Sequence, residues 1–267
     1  MRLKVKILDQ NVNIELDGDY YGPTFWENVS SYKWEPDTFS FIRANCTPST
    51  LFMDIGAANG AMTLAAAVMG SAVVAYEPDP IIYKVLEKNI EINSNYGEMI
   101  QIRNAAISTE SGKIKFSSSS DPQILTEILF RNREFKDTTI ESLSLVDEVA
   151  KLKLQEKKIL MKMDIEGAEF KLLTNKDVVA SLRDQNVLLL LAIHPGFNRH
   201  YSKSKLNKKI SEKMWARDNY QESLKLYSIL SDSASIFRTN FNEVRTKQAF
   251  AKLVQAGYHE FVIDFSS

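Results

Sequence analysis

Residues 51–70, LFMDIGAANGAMTLAAAVMG, place an acid and two glycines in one turn between an apolar run and a run of small residues. An apolar run that passes through glycine into alanines reads as the strand-turn-helix junction of a parallel sheet, and such a strand needs further βαβ units beside it. The chain supplies them. TLFMDIG, AVVAYEP, MIQIRNAAI, KKILMKM and NVLLLLAIHPGF are short, nearly continuous apolar runs, as strands covered on both faces should be. Between them NGAMTLAAAVMG reads as a helix that Gly70 ends, and DPIIYKVLEKNIEIN places Ile82, Leu86 and Ile90 at helical spacing. A polar stretch, FSSSSDPQ, opens an irregular region to about Thr139. An aromatic-rich lead, residues 20–46, reads as a helix-containing cap. The chain closes with a helix through QESLKLYSIL and a helix, Gly257 turn and strand in KQAFAKLVQAGYHEFVIDF.

Composition limits the function classes. At 267 residues, 44% hydrophobic and 25% charged, the chain can bury one sizeable core. A formal charge of −1 provides no field to draw in nucleic acid, so no duplex partner is expected. Cys46 is the only cysteine, which excludes an internal disulfide or a cysteine zinc cluster and fits a cytoplasmic protein. The start alternates like a strand rather than a signal peptide. The longest apolar stretch, 61–76, is broken by Thr63, Gly70 and Ser71, so no membrane span is expected.

The turn itself points to an adenosine ligand. Asp54, Gly56 and Gly60 occupy it, and Glu77 ends the next strand about 20 residues on, where a carboxylate meets ribose hydroxyls. A dinucleotide fingerprint would want glycine where Ala58 stands, and a phosphate-binding Walker loop would not continue with Ala61 and Met62. An acid ahead of the first glycine repels a pyrophosphate and suits the ammonium of a methionine moiety. S-adenosylmethionine is therefore favoured, with a plain tight turn in any Rossmann-like protein as the alternative.

FMDIGAANGAMTLAAA, VVAYEPDPIIYKVLEKNIEIN, NAAISTESGKIKF and LMKMDIEGAE, in this order across residues 34–197, resemble the motifs of FkbM-type S-adenosylmethionine-dependent methyltransferases. The resemblance implies a class I methyltransferase fold: an α/β, Rossmann-like, doubly wound and mostly parallel sheet of seven strands, one of them antiparallel. It implies O-methylation of a sugar, glycan or other small-molecule hydroxyl. Asp54, Gly56, Ala57, Asn59 and Gly60 match the cofactor loop; Glu77 and Pro78 match the ribose corner; Asn104 and Ala105 fall at the third strand's end, near the adenine. The single methyltransferase domain then divides into an N-terminal strand and cap (1–48), a cofactor-binding core (49–197), a helical insertion (198–245) and a closing helix and strand (246–267). Two features depart from the family: Ala192 stands where a glutamate often precedes the fifth-strand histidine, and the seventh strand has no evident place.

In this fold the fourth and fifth strands end side by side, which gathers Asp164, Glu166, Glu169 and His194. Methyl transfer asks the protein to align donor and acceptor and to take the acceptor's proton. Asp164 is assigned to the methionine end of the cofactor and to catalysis, with Glu166 or His194 acting on the hydroxyl. The alternative is that DIEGAE caps a helix and His194, before Pro195, anchors a loop. The same acids and histidine could hold magnesium, although no residue is assigned to a metal; zinc lacks its ligand spacing. Arg199, Lys203, Lys205, Lys208, Lys209 and Lys213 could face an acidic acceptor or simply solvent. Trp26, Tyr32 and Trp34 could stack on an acceptor, but core packing is the commoner use of such residues. A non-catalytic adenosine-binding module stays open beside the enzyme, as does a nicotinamide-dependent oxidoreductase, which the missing middle glycine weakens. The acceptor and the oligomeric state are not legible.

Overall fold

The structure, a computed structural model, describes residues 1–16, 21–118, 136–153, 156–165, 167–194, 208–240 and 242–266. They form two compact units, Met1–Met161 and Lys162–Ser267.

The first unit opens with a hairpin. Strands β1 (Arg2–Ile7) and β2 (Gln10–Glu15) pair antiparallel with Val5 opposite Val12. Leu8 and Asp9 both take positive φ, 46° and 69°, as a two-residue turn matched to strand twist requires. Val5, Ile7, Val12 and Ile14 are buried, so alternation sends one face inward. The aromatic lead forms two helices, Gly22–Ser30 and Pro36–Asn45, each with proline in its first turn. Trp26 is fully buried, and Phe25 meets the rings of Trp26 and Trp34 edge-on, at 5.1 and 4.7 Å. Trp26 belongs to the core of the lead, and Phe25 and Trp34 are half-buried.

Strands β3 (Thr50–Ile55), β4 (Ala72–Tyr76) and β5 (Ile100–Arg103) follow in parallel pairing, Met53 opposite Val74 and Val74 opposite Gln101. Every residue of β3 is buried, which explains its unbroken apolar sequence. The connection from β3 to β4 is the helix Ala61–Val68, buried along nearly its whole length because alanines let it lie close. The connection to β5 starts with the helix Pro80–Glu91, where the Asp79 carboxylate accepts the N–H groups of Ile81 and Ile82 at 2.8 and 3.3 Å.

MIQIRNAAI is not one strand. It divides at Asn104 into β5 and β6 (Ala106–Ser108), which belong to different sheets. The Asn104 side chain donates to the carbonyls of Glu77 and Pro78, at 2.8 and 3.2 Å, turning the chain away from the ladder. Nor is the region to Thr139 wholly irregular. β7 (Gly112–Ser118) and β8 (Lys136–Ser144) join β6 in a three-stranded sheet ordered β6-β8-β7, and the helix Leu145–Lys153 follows. The chain leaves this unit within β9 (Lys158–Met163), which neighbours β3 in the sheet.

In the second unit the helices Glu169–Leu173 and Lys176–Asp184 lead to β10 (Leu188–Ala192), all of it buried. After the helix Lys208–Leu230 come β11 (Ser235–Arg238), the helix Lys247–Gln255 and β12 (Glu260–Asp264). β12 runs antiparallel to both β10 and β11, with Leu190 and Phe237 each opposite Val262. β11 is the strand that the sequence left unplaced, and it lies inside the segment read as a helical insertion. The seven strands expected of the fold are thus present, mostly parallel where β3, β4 and β5 pair and with β12 reversed. Among the described residues no helix is long and apolar enough to cross a membrane.

Candidate active site

The turn after β3 is built from three positive-φ residues, Gly56 (85°), Ala58 (49°) and Gly60 (92°). A Cβ on Gly60 would stand 2.7 Å from Leu86 Cδ1, so this position needs glycine for both conformation and space. The turn is sewn to the end of β4: Gly56 and Ala57 N–H both donate to the Tyr76 carbonyl at 3.0 Å, and Ala58 N–H donates to Glu77 Oε2 at 2.9 Å. Gly60 N–H returns to the Ala57 carbonyl at 2.9 Å. Four of the N–H groups that a pyrophosphate would draw on are therefore already donated within the chain.

Glu77 is buried, and its other oxygen accepts Asp79 N–H at 2.8 Å. Each oxygen keeps a second lone pair, so two ribose hydroxyls can still be accepted. Burial pushes the Glu77 carboxyl up to about 8, with the Asp79 and Ala58 amides pulling the other way. Asn104 holds the carbonyls of this corner, and Ala105 beside it is buried. Asp54 is buried and its Oδ2 accepts the Thr63 hydroxyl at 2.6 Å. Asn59 is buried too; its carbonyl accepts Asn89 Nδ2 at 2.9 Å, while its own Nδ2 makes no hydrogen bond among the described residues. A carboxylate at one corner and a buried amide donor in the loop fit an adenosine ligand that carries an amino-acid end.

The second unit assembles four charged or titratable side chains. Lys162 and Asp164 are two apart as the chain leaves β9, which puts them on one face. The buried Lys162 ammonium lies 2.8 Å from Asp164 Oδ2. Burial alone would raise the Asp164 carboxyl, but Lys162 and His194 more than offset it and hold it below its ordinary value. Glu169 is fully buried; Oε1 accepts Ile165 N–H at 3.0 Å and Oε2 accepts Gly167 N–H at 2.8 Å. Gly167, at φ 104°, makes that turn. His194 follows β10 with Nδ1 3.2 Å from Glu169 Oε1 and Nε2 3.6 Å from Asp164 Oδ1. Burial, then His194, depresses His259, whose carbonyl accepts Ile193 N–H at 2.7 Å.

Asp164, Glu169 and His194 each point one ligand atom into a space where all three lie within 4.8 Å. As a magnesium site the set fits poorly, because the Lys162 ammonium already neutralises Asp164. Of the expected catalytic residues, Asp164 and His194 meet here, and Glu166 lies outside the described residues. So do residues 195–207 of the basic segment; Lys208, Lys209 and Lys213 belong to the helix Lys208–Leu230. Lys162 had no assigned role in the sequence, although its i, i+2 spacing to Asp164 on a strand was a readable signal. Glu169 was visible as an acid but not as the partner of a histidine 25 residues away.

A parallel α/β core with a glycine turn and a strand-end carboxylate, and a second unit that closes on a reversed strand, define a class I methyltransferase fold. The chain belongs to the methyltransferase FkbM domain family, which it matches over residues 54–205, more than half its length. Among solved structures it is similar to a methyltransferase FkbM from Methylobacillus flagellatus KT, with 17% identity over 81% of this chain and 44% of that one and a TM-score of 0.42. The bifunctional kinase-methyltransferase WbdD is 12% identical over 92% of this chain and 43% of its own, TM-score 0.43. TYW2 of P. horikoshii, in complex with MeSAdo, is 12% identical over 100% and 72%, TM-score 0.39. The chain spans less than half the length of the first two. No protein of curated function matches it.

Proposed function

We propose that the chain is an S-adenosylmethionine-dependent O-methyltransferase acting on a hydroxyl of a sugar, glycan or other small molecule. The observation that carries the cofactor choice is the turn after β3. Its N–H groups at Gly56, Ala57, Ala58 and Gly60 are consumed internally, while Glu77, directly after β4, has lone pairs to spare. That favours a ribose without a pyrophosphate, and so weighs against a nicotinamide dinucleotide.

In this reading Asp54, Gly56, Ala57, Asn59 and Gly60 form the cofactor loop, Glu77 and Pro78 take the ribose, and Asn104 and Ala105 shape the adenine side. When bound, S-adenosylmethionine supplies a methyl group on a positively charged sulfur. His194 takes the proton of the acceptor hydroxyl at Nε2 as the new O–C bond forms, and Asp164 favours the resulting imidazolium while meeting the amino-acid end of the cofactor. Glu166 is the second candidate base. An acceptor with acidic groups would suit the basic residues 199–213. The reading treats residues 1–267 as one methyltransferase domain and places its work in the cytoplasm. Cys46 is neutral on that last point: it is buried, and burial pushes its thiol up to about 11, so packing is reason enough for it.

The test is transfer of a labelled methyl group from S-adenosylmethionine to a panel of hydroxyl-bearing sugars and small molecules. A product methylated at oxygen is expected. Methylation at nitrogen with oxygen untouched would overturn the O-methyl assignment, and binding without transfer to any acceptor would favour an adenosine-binding module.

A further inference from the structure

We propose that Glu169 is a positioning residue for His194: it fixes the imidazole as the Nδ1–H tautomer, so that Nε2 carries the lone pair that receives the acceptor's proton. The proposal rests on the reading of His194 as the base and adds what makes that base competent. Glu169 has no exposed surface, and its two oxygens accept the N–H groups of Ile165 and Gly167. With amide hydrogens donating to both oxygens, the hydrogen shared with His194 belongs on Nδ1, 3.2 Å away. A histidine's proton location is set by the bond its other nitrogen makes. The carboxylate also fixes the ring plane, because its own position is held by a five-residue helix start and the Gly167 turn.

The charges point the same way. Above the pH at which His194 takes up a proton, Lys162 and Asp164 cancel each other, and Glu169 leaves one formal negative charge beside the neutral imidazole. Moving one proton from the acceptor oxygen to Nε2 makes the cluster neutral, with the imidazolium between Glu169 at 3.2 Å and Asp164 at 3.6 Å. The O–H bond of the acceptor breaks and the Nε2–H bond forms. Among the described residues two groups oppose this charge: the Lys162 ammonium, which its pairing with Asp164 offsets, and His259, which burial keeps neutral to lower pH than an ordinary histidine. A carboxylate that merely capped the turn would need only the two amide bonds; the third contact serves the histidine.

The experiment is nitrogen NMR of histidine-labelled full-length chain, with His194 assigned through His194→Ala. The wild-type imidazole should show a protonated Nδ1 and a bare Nε2 above its titration. In Glu169→Gln the tautomer preference should fade, and the pH at which His194 takes up a proton should fall by about one unit. The acid limb of turnover should move to lower pH by the same amount, with S-adenosylhomocysteine affinity unchanged. A wild-type His194 protonated on Nε2, or a titration unmoved in Glu169→Gln, would overturn the proposal. The wild-type spectrum decides the matter even if Glu169→Gln does not fold. The tautomer is read without turnover, so it separates this proposal from the base assignment, which His194→Ala kinetics test alone.

Discussion

Glu77 Oε2 accepts the N–H of Ala58 at 2.9 Å, so the carboxylate at the end of β4 fixes the glycine turn that follows β3. One residue thus shapes the loop and offers lone pairs beside it. Replacing Glu77 with Gln should weaken S-adenosylhomocysteine binding by about 1–3 kcal/mol, the scale of hydrogen bonds to a charged acceptor. Titration calorimetry measures it, and full affinity in a folded variant would remove Glu77 from the site.

The same carboxyl predicts a pH dependence. Burial raises it from 4.5 to about 8, so the folded chain holds this proton more tightly than the unfolded chain does. Its contribution to stability therefore declines as pH rises from about 4.5 to 8 and levels off above. Ribose hydroxyls donate best to the ionised form, so cofactor affinity should climb over the upper part of that window and then plateau. Calorimetry between about pH 6 and 9 should find this slope in the wild type and lose it in Glu77→Gln. A wild-type affinity that falls with pH would contradict it.

Gly60→Ala should cost about 1–3 kcal/mol of stability, since φ is 92° and the new Cβ would press on Leu86 Cδ1 at 2.7 Å. Denaturant unfolding measures the loss. A neutral result would mean that the turn relaxes freely and is not held by its hydrogen bonds to Tyr76 and Glu77.

Removing the ammonium in Lys162→Met should leave a half-buried Asp164 without its cation beside two other titratable groups. About 2–3 kcal/mol of stability near neutral pH should be lost, less than for a wholly buried pair because Asp164 keeps some solvent. Asp164 is held below its ordinary 3.8, so its contribution exists above that pH and disappears as pH falls through the lowered value. The gap between variant and wild type should accordingly close in acid. Equal stability at neutral pH would show that the pair does no net work.

His194→Ala should reduce turnover by about 10²–10⁴-fold while leaving cofactor affinity near that of the wild type, the range expected for loss of a general base. Full turnover on a true acceptor would transfer the role to Glu166.

The parts of the fold that read clearly in the sequence were those where one physical signal dominated. Fully buried β3 and β10, and β4, buried except at Ala72, announced themselves as apolar runs, and Gly60 and Gly257 marked turns through positive φ. β11 did not, because four residues are too few for alternation to rise above their surroundings. Asn104 broke MIQIRNAAI through a side-chain bond to residues 26 and 27 positions earlier, a long-range event that local pattern cannot carry. The site divides in the same way. Asp54, the glycines and Glu77 followed from turn chemistry and spacing, whereas the partnership of Glu169 with His194 exists only once β10 brings the histidine back.

The central claim is that the turn and Glu77 hold an adenosine ligand without a pyrophosphate. Calorimetry of the full chain with S-adenosylhomocysteine and with NAD tests it directly. One S-adenosylhomocysteine site with a micromolar Kd, about −8 kcal/mol, and no binding of NAD is the predicted result. No heat with S-adenosylhomocysteine, or tighter binding of NAD, would contradict it.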